Sequence, residues 1–399
     1  MTRRVVILTA VVKQYRRAFL DELAARLRRD DIALTIAYSD PNRAERTKSD
    51  NLELPPELGI KVPGVWLLGQ RVFVQLAWPA IRGADIVIVE QANKHALNYL
   101  LLALSRLGHK RIAYWGHGYN HRERASVASE WLKRKLLTSV DWWFAYTTGV
   151  GRYLAAQGVD PRIITVVQNT IDTRELAEAV RAHDADATRA VRRRLGIADR
   201  AQVGLFCGSL YADKKLDLLV EAAGRIRERR PDFALIVVGD GPGRDAVCAA
   251  AAHLPFIHCV GPAFGRDRAA YFAISDVFLI PGAVGLAIVD AFTIGLPVFA
   301  TDVPGSGPEL EYLESGVNGV VTAHHPAAYA AAVCRVLDDP AGLARMRDAA
   351  RATAARLSLA HMVEAFATGI TQCLARARPA AASASGPPST AVRSRTPRG

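Results

Sequence analysis

A glycine-rich turn in the carboxyl-terminal half carries the residues with the clearest chemistry. The segment Ile280-Pro-Gly-Ala-Val-Gly-Leu-Ala-Ile-Val-Asp290 reads as a strand, a tight turn with two glycines and the start of a helix. Glycine lets a ligand approach the backbone closely, and the free N–H groups at a helix amino terminus attract an anion. Asp290 lies one helical turn further on, where it can accept hydrogen bonds from sugar or ribose hydroxyls. A buried strand, turn and helix with Asp290 in solvent is the open alternative.

Two lysines follow an earlier strand and a Gly-Ser turn, in the segment Phe206-Cys-Gly-Ser-Leu-Tyr-Ala-Asp-Lys-Lys215. An ammonium in this place can stabilise negative charge on an anionic ligand. A lysine at the start of a helix is otherwise an ordinary surface residue. The choice between the two depends on the strand and the turn before Lys214 and on the family resemblance described below.

A histidine stands between two glycines at the end of a strand in the amino-terminal half, in Tyr114-Trp-Gly-His-Gly-Tyr-Asn120. Glycines on both sides of His117 favour exposure of its ring into a cleft over burial. A core histidine or a plain turn residue is the alternative.

These residues are positioned by two series of alternating strands and helices, separated by a charged helical stretch over residues 173–195. The predicted strands are residues 5–9, 33–38, 86–89, 111–115 and 142–146 in the first series and 203–206, 235–238, 256–260, 277–280 and 298–300 in the second. Helical spacing covers residues 19–28, 95–107 and 123–137 in the first series. Such alternation implies parallel sheets with right-handed crossovers. We therefore predict an α/β fold of two Rossmann-like, doubly wound domains, with ligands in the cleft between them.

In the segments described above, the sequence resembles glycosyltransferase family 4, a large family of retaining nucleotide-sugar glycosyltransferases with the GT-B fold. Its members typically carry a glutamate, seven residues and a second glutamate in the loop and helix at residues 282–290. Asp290 falls on the second acidic position and Gly282 on the first. Gly295-Leu-Pro-Val298 and Pro308-Glu309, with Gly316-Val-Asn-Gly319, match the same family. The resemblance covers roughly residues 5–375.

The resemblance implies a donor site in the carboxyl-terminal half. In relatives the second acid holds the donor ribose, the glycine loop holds the diphosphate and sugar, and the loop at residues 260–264 receives the nucleobase. The implied donor-binding residues are Gly208, Ser209, Lys215, Gly261, Pro262, Phe264, Gly282, Val284, Gly285, Leu286 and Asp290. Ser209 replaces the family's arginine, and Gly282 replaces its first acid. The turn at residues 239–243 is read as a strand-to-helix turn near the cleft.

The resemblance also implies catalytic and acceptor-side residues. Lys214 falls on the family's lysine, which neutralises the leaving nucleotide diphosphate in relatives, and Lys215 is placed to assist it. His117 falls in a histidine-bearing loop that touches donor sugar or acceptor in relatives. The segment Gln14-Tyr-Arg-Arg17 resembles the acceptor-side loop. The implied catalytic residues are Lys214 and His117, and the acceptor-side residues are Tyr15, Arg16 and Tyr119. Asn169-Thr-Ile-Asp172 leads into the interdomain linker and is read as structural.

Domain boundaries follow from the two series. We place an acceptor-side Rossmann-like domain at residues 1–172, a linker helix at 173–200 and a nucleotide-sugar-binding Rossmann-like domain at 201–356. A carboxyl-terminal helix at 357–378 is positioned to pack back on the first domain, and residues 379–399 have the composition of a disordered tail.

Composition and charge limit the kinds of ligand that the protein is expected to bind. The net charge of +12 suits anionic ligands such as nucleotide diphosphates or phospholipids, and the absence of any nucleic-acid-binding signature excludes nucleic acid. The five cysteines include no C-x-x-C pair, so we expect reduced core thiols and no zinc site. Asp184-Ala-Asp186 fits a metal-binding D-x-D, but aspartates two apart do not share a helix face, and no metal is assigned.

The sequence has neither a secretory cleavage site nor an apolar run of about 20 residues, which favours a cytoplasmic protein. The basic, amphipathic segment at residues 130–137 can rest on an anionic membrane on its inner face, or pack as an ordinary helix on its own sheet.

We therefore predict a retaining, metal-independent glycosyltransferase without a cofactor. Its co-substrate is a UDP- or GDP-linked sugar, and its acceptor is a glycan, a lipid-linked molecule or a small molecule. The alternative is a catalytically weak or inactive nucleotide-binding protein of the same fold, since two charged family positions are lost. A nucleotide-sugar epimerase on this fold requires cleft carboxylates and histidines that the sequence does not assemble.

Overall fold

The computed structural model describes residues 2–46, 50–92, 94–118 and 135–377. Within this part of the chain, the strands are β1 (Arg3–Leu8), β2 (Ile32–Tyr38), β3 (Gly59–Lys61), β4 (Gly64–Leu67), β5 (Val72–Gln75), β6 (Ile86–Glu90), β7 (Arg111–Gly116), β8 (Trp142–Ala145), β9 (Ile164–Val166), β10 (Val203–Cys207), β11 (Ala234–Val238), β12 (Ile257–Gly261), β13 (Val277–Leu279), β14 (Val298–Thr301) and β15 (Gly319–Thr322). The ten predicted strands all agree with observed ones to within two residues.

The α-helices of the same part are α1 (Arg17–Arg28), α2 (Arg43–Arg46), α3 (Trp78–Ile81), α4 (Ala96–Arg106), α5 (Thr148–Ala156), α6 (Arg174–Arg181), α7 (Ala185–Leu195), α8 (Leu216–Arg229), α9 (Arg244–His253), α10 (Gly265–Ala273), α11 (Ala287–Ile294), α12 (Pro326–Leu337), α13 (Pro340–Arg356) and α14 (Leu359–Ala375). None of these helices has both the length and the hydropathy needed to cross a membrane.

Thirteen of the described strands form two parallel sheets, and β4 and β5 form a separate antiparallel pair. The first has the order β3-β2-β1-β6-β7-β8-β9 and the second the order β12-β11-β10-β13-β14-β15. In both, the order reverses next to the first strand of the series, which is the switch point where doubly wound sheets bind ligands. Helices cover both faces, so the central strands are buried throughout, as at Val5 and Ile86, which pair in register. The predicted pair of Rossmann-like domains is confirmed.

The stretch between the sheets differs from the predicted single linker helix over residues 173–200. It forms two helices, α6 and α7, because Asp184 accepts a hydrogen bond from Ala187 N at 2.8 Å and caps the second helix. Leu176 and Val191 are buried in the core of the carboxyl-terminal domain. The stretch is therefore part of that domain's packing.

The last described helix, α14, crosses back to the amino-terminal domain and joins its core. The Phe366 ring stacks on Phe144 with centroids 4.5 Å apart and meets Trp115 edge-on at 5.0 Å. Arg26 and Glu364 form an ion pair at 2.7 Å beside this contact. The two domains are thus linked twice, by α6 and by α14.

The expectation of reduced cysteines is wrong for two of the five. Cys248 on α9 and Cys259 on β12 form a disulfide, with Cα atoms 5.5 Å apart, because α9 packs beside the strand that follows it. Cys207, Cys334 and Cys373 take no part in this disulfide. The predicted helix 123–137, the basic segment 130–137 and the tail 379–399 lie wholly or mostly outside the described residues.

Candidate functional site

The Lys214 segment and the glycine turn are joined to each other at the carboxyl ends of β10 and β13. The N–H of Ala283 donates to the Asp213 carbonyl at 2.9 Å, and the Lys214 ammonium donates to the Ala283 carbonyl. Lys214 ends a short 3-10 turn, and Lys215 caps α8 in the left-handed conformation with φ +55°. The two stretches singled out from the sequence therefore form one unit.

The missing family acid at Gly282 has a steric cause. A Cβ atom at Gly282 would lie 2.1 Å from the Asp213 carbonyl oxygen and 2.6 Å from Lys214 Cα, far inside van der Waals contact. No side chain fits there while the Lys214 segment holds this position. With glycine in place of the family's acid, the Lys214 backbone can approach this position closely.

Lys214 is aimed over the glycine turn. Gly285 has φ +57°, and the place of its Cβ lies 4.0 Å from Lys214 Nζ. Burial lowers the pKa of Lys214, while the charges of Asp213 and Glu309 oppose that fall. A half-buried ammonium beside free backbone N–H groups at the start of α11 is an environment that attracts a diphosphate.

The other two predicted residues of the turn have different surroundings. Val284 is buried, and its N–H donates to the Ser306 carbonyl at 3.2 Å. Leu286 is half-buried and precedes α11 as its cap residue. Both therefore shape the turn through the backbone.

Asp290 is buried on α11 and faces an arginine that the sequence did not single out. Arg268 Nη2 on α10 lies 3.0 Å from Asp290 Oδ1. Burial raises the pKa of Asp290 to about 6, although the charge of Arg268 opposes the shift. Asp290 Oδ1 has no aligned hydrogen bond within the described residues, so the ion pair leaves this oxygen able to accept one. Burial also raises the pKa of the neighbouring Cys207 thiol to about 12, which keeps it protonated.

The predicted turn at residues 239–243 packs backbone against backbone on the loop after β10. A Cβ at Gly239, where φ is +148°, would lie 1.9 Å from the Gly208 carbonyl oxygen. Gly208 N donates to the Val238 carbonyl at 3.0 Å, and Gly239 N donates to the Gly261 carbonyl at 2.9 Å. The glycines hold three neighbouring loops together at the edge of the cleft.

The remaining donor-side predictions lie at the surface of this edge. Ser209 and Pro262 are exposed, and Phe264 presents 79% of its surface to solvent immediately before α10. An exposed aromatic ring beside a backbone-lined cleft is available to contact a flat ligand such as a nucleobase.

On the opposite domain, Arg16 lies among three aromatic rings. Its guanidinium carbon is 4.4 Å from the Trp115 ring centroid, 5.0 Å from that of Tyr15 and 5.9 Å from that of Tyr146. Arg16 Nη1 is buried and has no hydrogen-bond partner among the described residues. A buried, unpaired donor is costly, so this atom is poised for a ligand.

Glu90 ends β6 beside the same aromatic group. Its Oε1 accepts a hydrogen bond from Thr9 Oγ1 at 2.6 Å. Burial raises the pKa of Glu90, opposed by the Thr9 hydrogen bond and the charge of Arg16. Thr9, Tyr15, Arg16, Glu90, Trp115 and Tyr146 border a cavity of about 80 Å³. We call it the Arg16 cavity.

His117 follows β7 next to this cavity. Its half-buried ring meets the Tyr146 ring edge-on, with centroids 6.2 Å apart. The next residue, Gly118, has φ +70°, and a Cβ there would lie 2.9 Å from Leu154 Cδ2. Tyr119, predicted on the acceptor side, lies outside the described residues.

The two sides of the cleft meet at Asn169. Its side chain donates to buried Glu309 Oε1 at 2.7 Å, and its carbonyl accepts a hydrogen bond from the Tyr312 hydroxyl at 3.0 Å. Glu311 accepts two hydrogen bonds from Gly149 N, at 2.7 and 2.8 Å, at the positive end of α5. These contacts bring the Lys214 side and the Arg16 side together.

The Asp184 and Asp186 pair has a structural role. Asp184 caps α7, and Asp186 forms an ion pair with Arg189. In the part of the chain that the structure describes, no group of three or more His, Cys, Asp or Glu is arranged to hold a metal ion.

Several site residues were missed by the sequence reading. Glu90 had a usable signal, because it is an acid at the carboxyl end of an apolar strand. Arg268 had none, since its partner Asp290 is distant in sequence and the contact depends on how α10 packs on α11. Trp115 and Tyr146 resembled core aromatics, and only the fold places them around Arg16.

Two family models match different parts of the chain. Residues 18–175 match the family model described as Glycosyltransferase Family 4, and residues 201–339 match the model described as Glycosyl transferases group 1. The chain is 29% identical over 227 residues to D-inositol 3-phosphate glycosyltransferase from Salinispora arenicola, a match that covers 53% of this chain and 50% of that protein. The chain spans about half the length of the curated relatives it matches.

Solved structures are similar over nearly the whole chain. A glycosyltransferase from Rickettsia africae superposes with a TM-score of 0.71 at 16% identity, covering 94% of this chain and 100% of that one. HepE from Anabaena in complex with UDP superposes with a TM-score of 0.68 at 18% identity, covering 92% and 99%. At these identities the likeness is one of fold.

Proposed function

The chain belongs to glycosyltransferase family 4 and has the GT-B fold, and on that premise we propose that it transfers a sugar from a nucleotide-diphosphate donor to an acceptor hydroxyl. The observation that carries the proposal is the Lys214 ammonium held over the glycine turn, beside the start of α11. This unit presents one cation and several free N–H groups to the same small volume.

Donor binding is assigned to the carboxyl-terminal domain. Lys214 and the backbone at Gly285 contact the diphosphate, and Asp290 Oδ1 accepts a hydrogen bond from the ribose. Phe264 and the loop at Gly261 receive the base, which is that of a UDP- or GDP-linked sugar. The UDP bound to the Anabaena protein on the same fold supports this choice.

The proposed transfer retains the configuration of the sugar, as the family resemblance implies. The bond between the anomeric carbon and the diphosphate oxygen breaks, and the acceptor oxygen bonds to the same face of that carbon. The acceptor proton passes to the leaving phosphate oxygen. The protein supplies mainly position and charge stabilisation, so the positive charge of Lys214 offsets the developing negative charge on the phosphate.

The acceptor is assigned to the Arg16 cavity. Arg16 Nη1 donates to an acceptor oxygen, and Glu90 accepts from a hydroxyl, while the surrounding rings hold both side chains in place. His117 contacts Tyr146, which lines this cavity, and positions the acceptor towards the donor sugar. The acceptor class that fits is a hydroxylated ring of a glycan, a lipid-linked sugar or a small molecule.

The test is calorimetry with UDP, GDP and their sugars, followed by a transfer assay on a panel of hydroxylated acceptors. Lys214→Ala is expected to weaken binding of the preferred nucleotide by roughly tenfold or more, about 1.4 kcal/mol. Lys61→Ala is the control, since this lysine lies on β3 and pairs with Asp40 and Glu53. Equal binding by wild type and Lys214→Ala would contradict the assignment.

Nucleotide binding without transfer to any acceptor would favour the second candidate, a binding protein of the same fold. The observation behind that candidate is the pair of lost charges, at Gly282 and Ser209. The surroundings of Gly282 argue against this second candidate. The position of the Lys214 segment requires a glycine there, so the missing acid has a structural reason.

A further inference from the structure

A two-stranded hairpin outside the main sheets, β4 and β5, has one wholly aliphatic face. The cross-strand pairs are Val65 with Val74 and Leu67 with Val72, and Leu76 N extends the ladder by donating to the Pro63 carbonyl at 2.9 Å. Because side chains alternate along a strand, the outward face is made of Pro63, Val65, Leu67, Val72, Val74 and Leu76. None of these side chains is buried, and Leu68 at the tip is 76% exposed.

The opposite face of the hairpin is fixed to the domain. Trp66 stacks on buried Phe73 with centroids 4.6 Å apart, and the Lys94 ammonium lies 5.1 Å from the Trp66 ring centroid. Phe73 N donates to the Lys94 carbonyl at 2.7 Å. This packing turns the aliphatic face away from Trp66 and Phe73, and it leaves Val65 and Leu67 about half exposed.

The hairpin carries no acidic residue. The sequence from residue 58 to residue 84 contains no aspartate or glutamate, and neither does the sequence from 91 to 111. Arg71 lies exposed in the hairpin turn, and Lys94 lies at the base. Lys61, which precedes the hairpin, is paired with Asp40 and Glu53, and Lys94 lies over Trp66 on the inner face, so Arg71 is the charge that the hairpin itself adds to this surface.

We propose that the hairpin is a docking surface for an anionic lipid bilayer, into which Val65, Leu67 and Leu68 insert at the level of the headgroups. Aliphatic side chains beside an exposed arginine, on a hairpin that carries no carboxylate of its own, match the apolar interior and the negative headgroups of such a surface. A protein partner would more often meet a face that mixes polar groups with apolar ones.

The hairpin is tied to the Arg16 cavity. Gln75, at the end of β5, donates to the Thr9 carbonyl and to Ser39 Oγ, both at 2.9 Å, and Thr9 lines that cavity. Docking therefore brings the acceptor side next to the membrane. This last step rests on the proposed function and selects a lipid-linked acceptor; the docking itself does not depend on it.

The test is flotation of the full chain with vesicles made of equal parts phosphatidylcholine and phosphatidylglycerol, at low salt. Val65→Asp is expected to reduce the bound fraction by roughly tenfold or more, because a charge replaces an inserted aliphatic group. Val317→Asp is the matched control: Val317 is 49% exposed, against 50% for Val65, and lies in the other domain. Thermal unfolding and nucleotide binding of both variants establish that each is folded.

Binding of the wild type and of Val317→Asp, with loss in Val65→Asp, supports the proposal. Absence of wild-type flotation overturns it, and so does equal loss in both variants. Equal binding to pure phosphatidylcholine overturns the role of charge. A shift from dimer to monomer in Val65→Asp without vesicle binding assigns the face to a second copy of the chain. Flotation without nucleotide binding supports docking and contradicts the proposed function, so the two fail separately.

Discussion

Arg268 Nη2 lies 3.0 Å from Asp290 Oδ1, so two helices of the carboxyl-terminal domain are joined by an ion pair with a buried carboxylate beside the glycine turn. The aspartate is 6% exposed, and burial raises its pKa to about 6. Folding therefore favours the protonated carboxyl, even though the guanidinium is close. At neutral pH the Asp290 carboxylate is charged, and the charge of Arg268 partly offsets the effect of burial, which favours the neutral form.

Asp290→Asn is expected to remove a pH dependence of stability. Because the folded pKa lies above the unfolded value of 3.8, the folded state binds the proton more tightly, and stability falls as pH rises from the lower value through the higher. The loss reaches roughly 3 kcal/mol above about pH 6. Chemical denaturation of wild type and variant between about pH 4 and pH 7 measures the difference. Parallel curves for the two proteins would exclude a buried, titrating Asp290.

The same variant has a second readout in nucleotide binding. If Asp290 accepts a hydrogen bond from the ribose, the wild-type affinity falls as pH drops below about 6, because the protonated oxygen is a poorer acceptor. Calorimetry over the same pH range should show this fall in wild type and a flat profile in Asp290→Asn. A fall in both would assign the dependence to another group.

Gly282→Ala is expected to weaken nucleotide binding by about tenfold and to destabilise the fold by about 1–3 kcal/mol. The new Cβ would lie 2.1 Å from the Asp213 carbonyl oxygen, so the Lys214 segment must move away from the glycine turn. Gly224→Ala is the control, because this residue lies within α8 with no atom within 4 Å of its Cβ position. That control is expected to be stabilised by about 0.5–1 kcal/mol. Unchanged nucleotide affinity in Gly282→Ala would show that the position of Lys214 is not critical.

Gly282 also illustrates what sequence could and could not predict. The alternation of apolar runs was enough for both sheets, because fully buried parallel strands read as continuous apolar segments. The Gly282 position was found by spacing, but the reason for its glycine is a contact with Asp213, on a loop that sequence does not place. The short strands β4 and β5 were missed, since strands of four residues carry little periodic signal.

Glu90→Gln is expected to raise KM for the acceptor by roughly tenfold while leaving the donor Kd unchanged, because the carboxylate borders the Arg16 cavity and not the glycine turn. The raised pKa of Glu90 also predicts the direction of a pH dependence. Acceptor binding by wild type weakens as pH falls through that pKa, and acceptor binding by Glu90→Gln does not change with it. Steady-state kinetics at several pH values measures both. Glu364→Gln, at an exposed ion pair with Arg26, is the control. A parallel change in donor Kd would place Glu90 outside the acceptor site.

Phe366→Ala and Phe264→Ala apply one substitution to opposite environments. Phe366 is fully buried between Phe19, Trp115 and Phe144, so its loss is expected to cost about 3–5 kcal/mol of stability through the cavity it leaves. Phe264 is 79% exposed, so its loss should change stability by less than about 0.5 kcal/mol.

The same two variants separate packing from recognition. If Phe264 contacts the nucleobase, its removal weakens nucleotide binding by about 0.5–1.5 kcal/mol without moving the unfolding transition. Phe366→Ala lowers the transition and, because Trp115 packs against both Phe366 and Arg16, also loosens the acceptor side. Thermal unfolding and calorimetry on both proteins test the pair. Unchanged nucleotide affinity in Phe264→Ala would move the base away from α10 and leave the loop at Gly261 to hold it through its backbone alone.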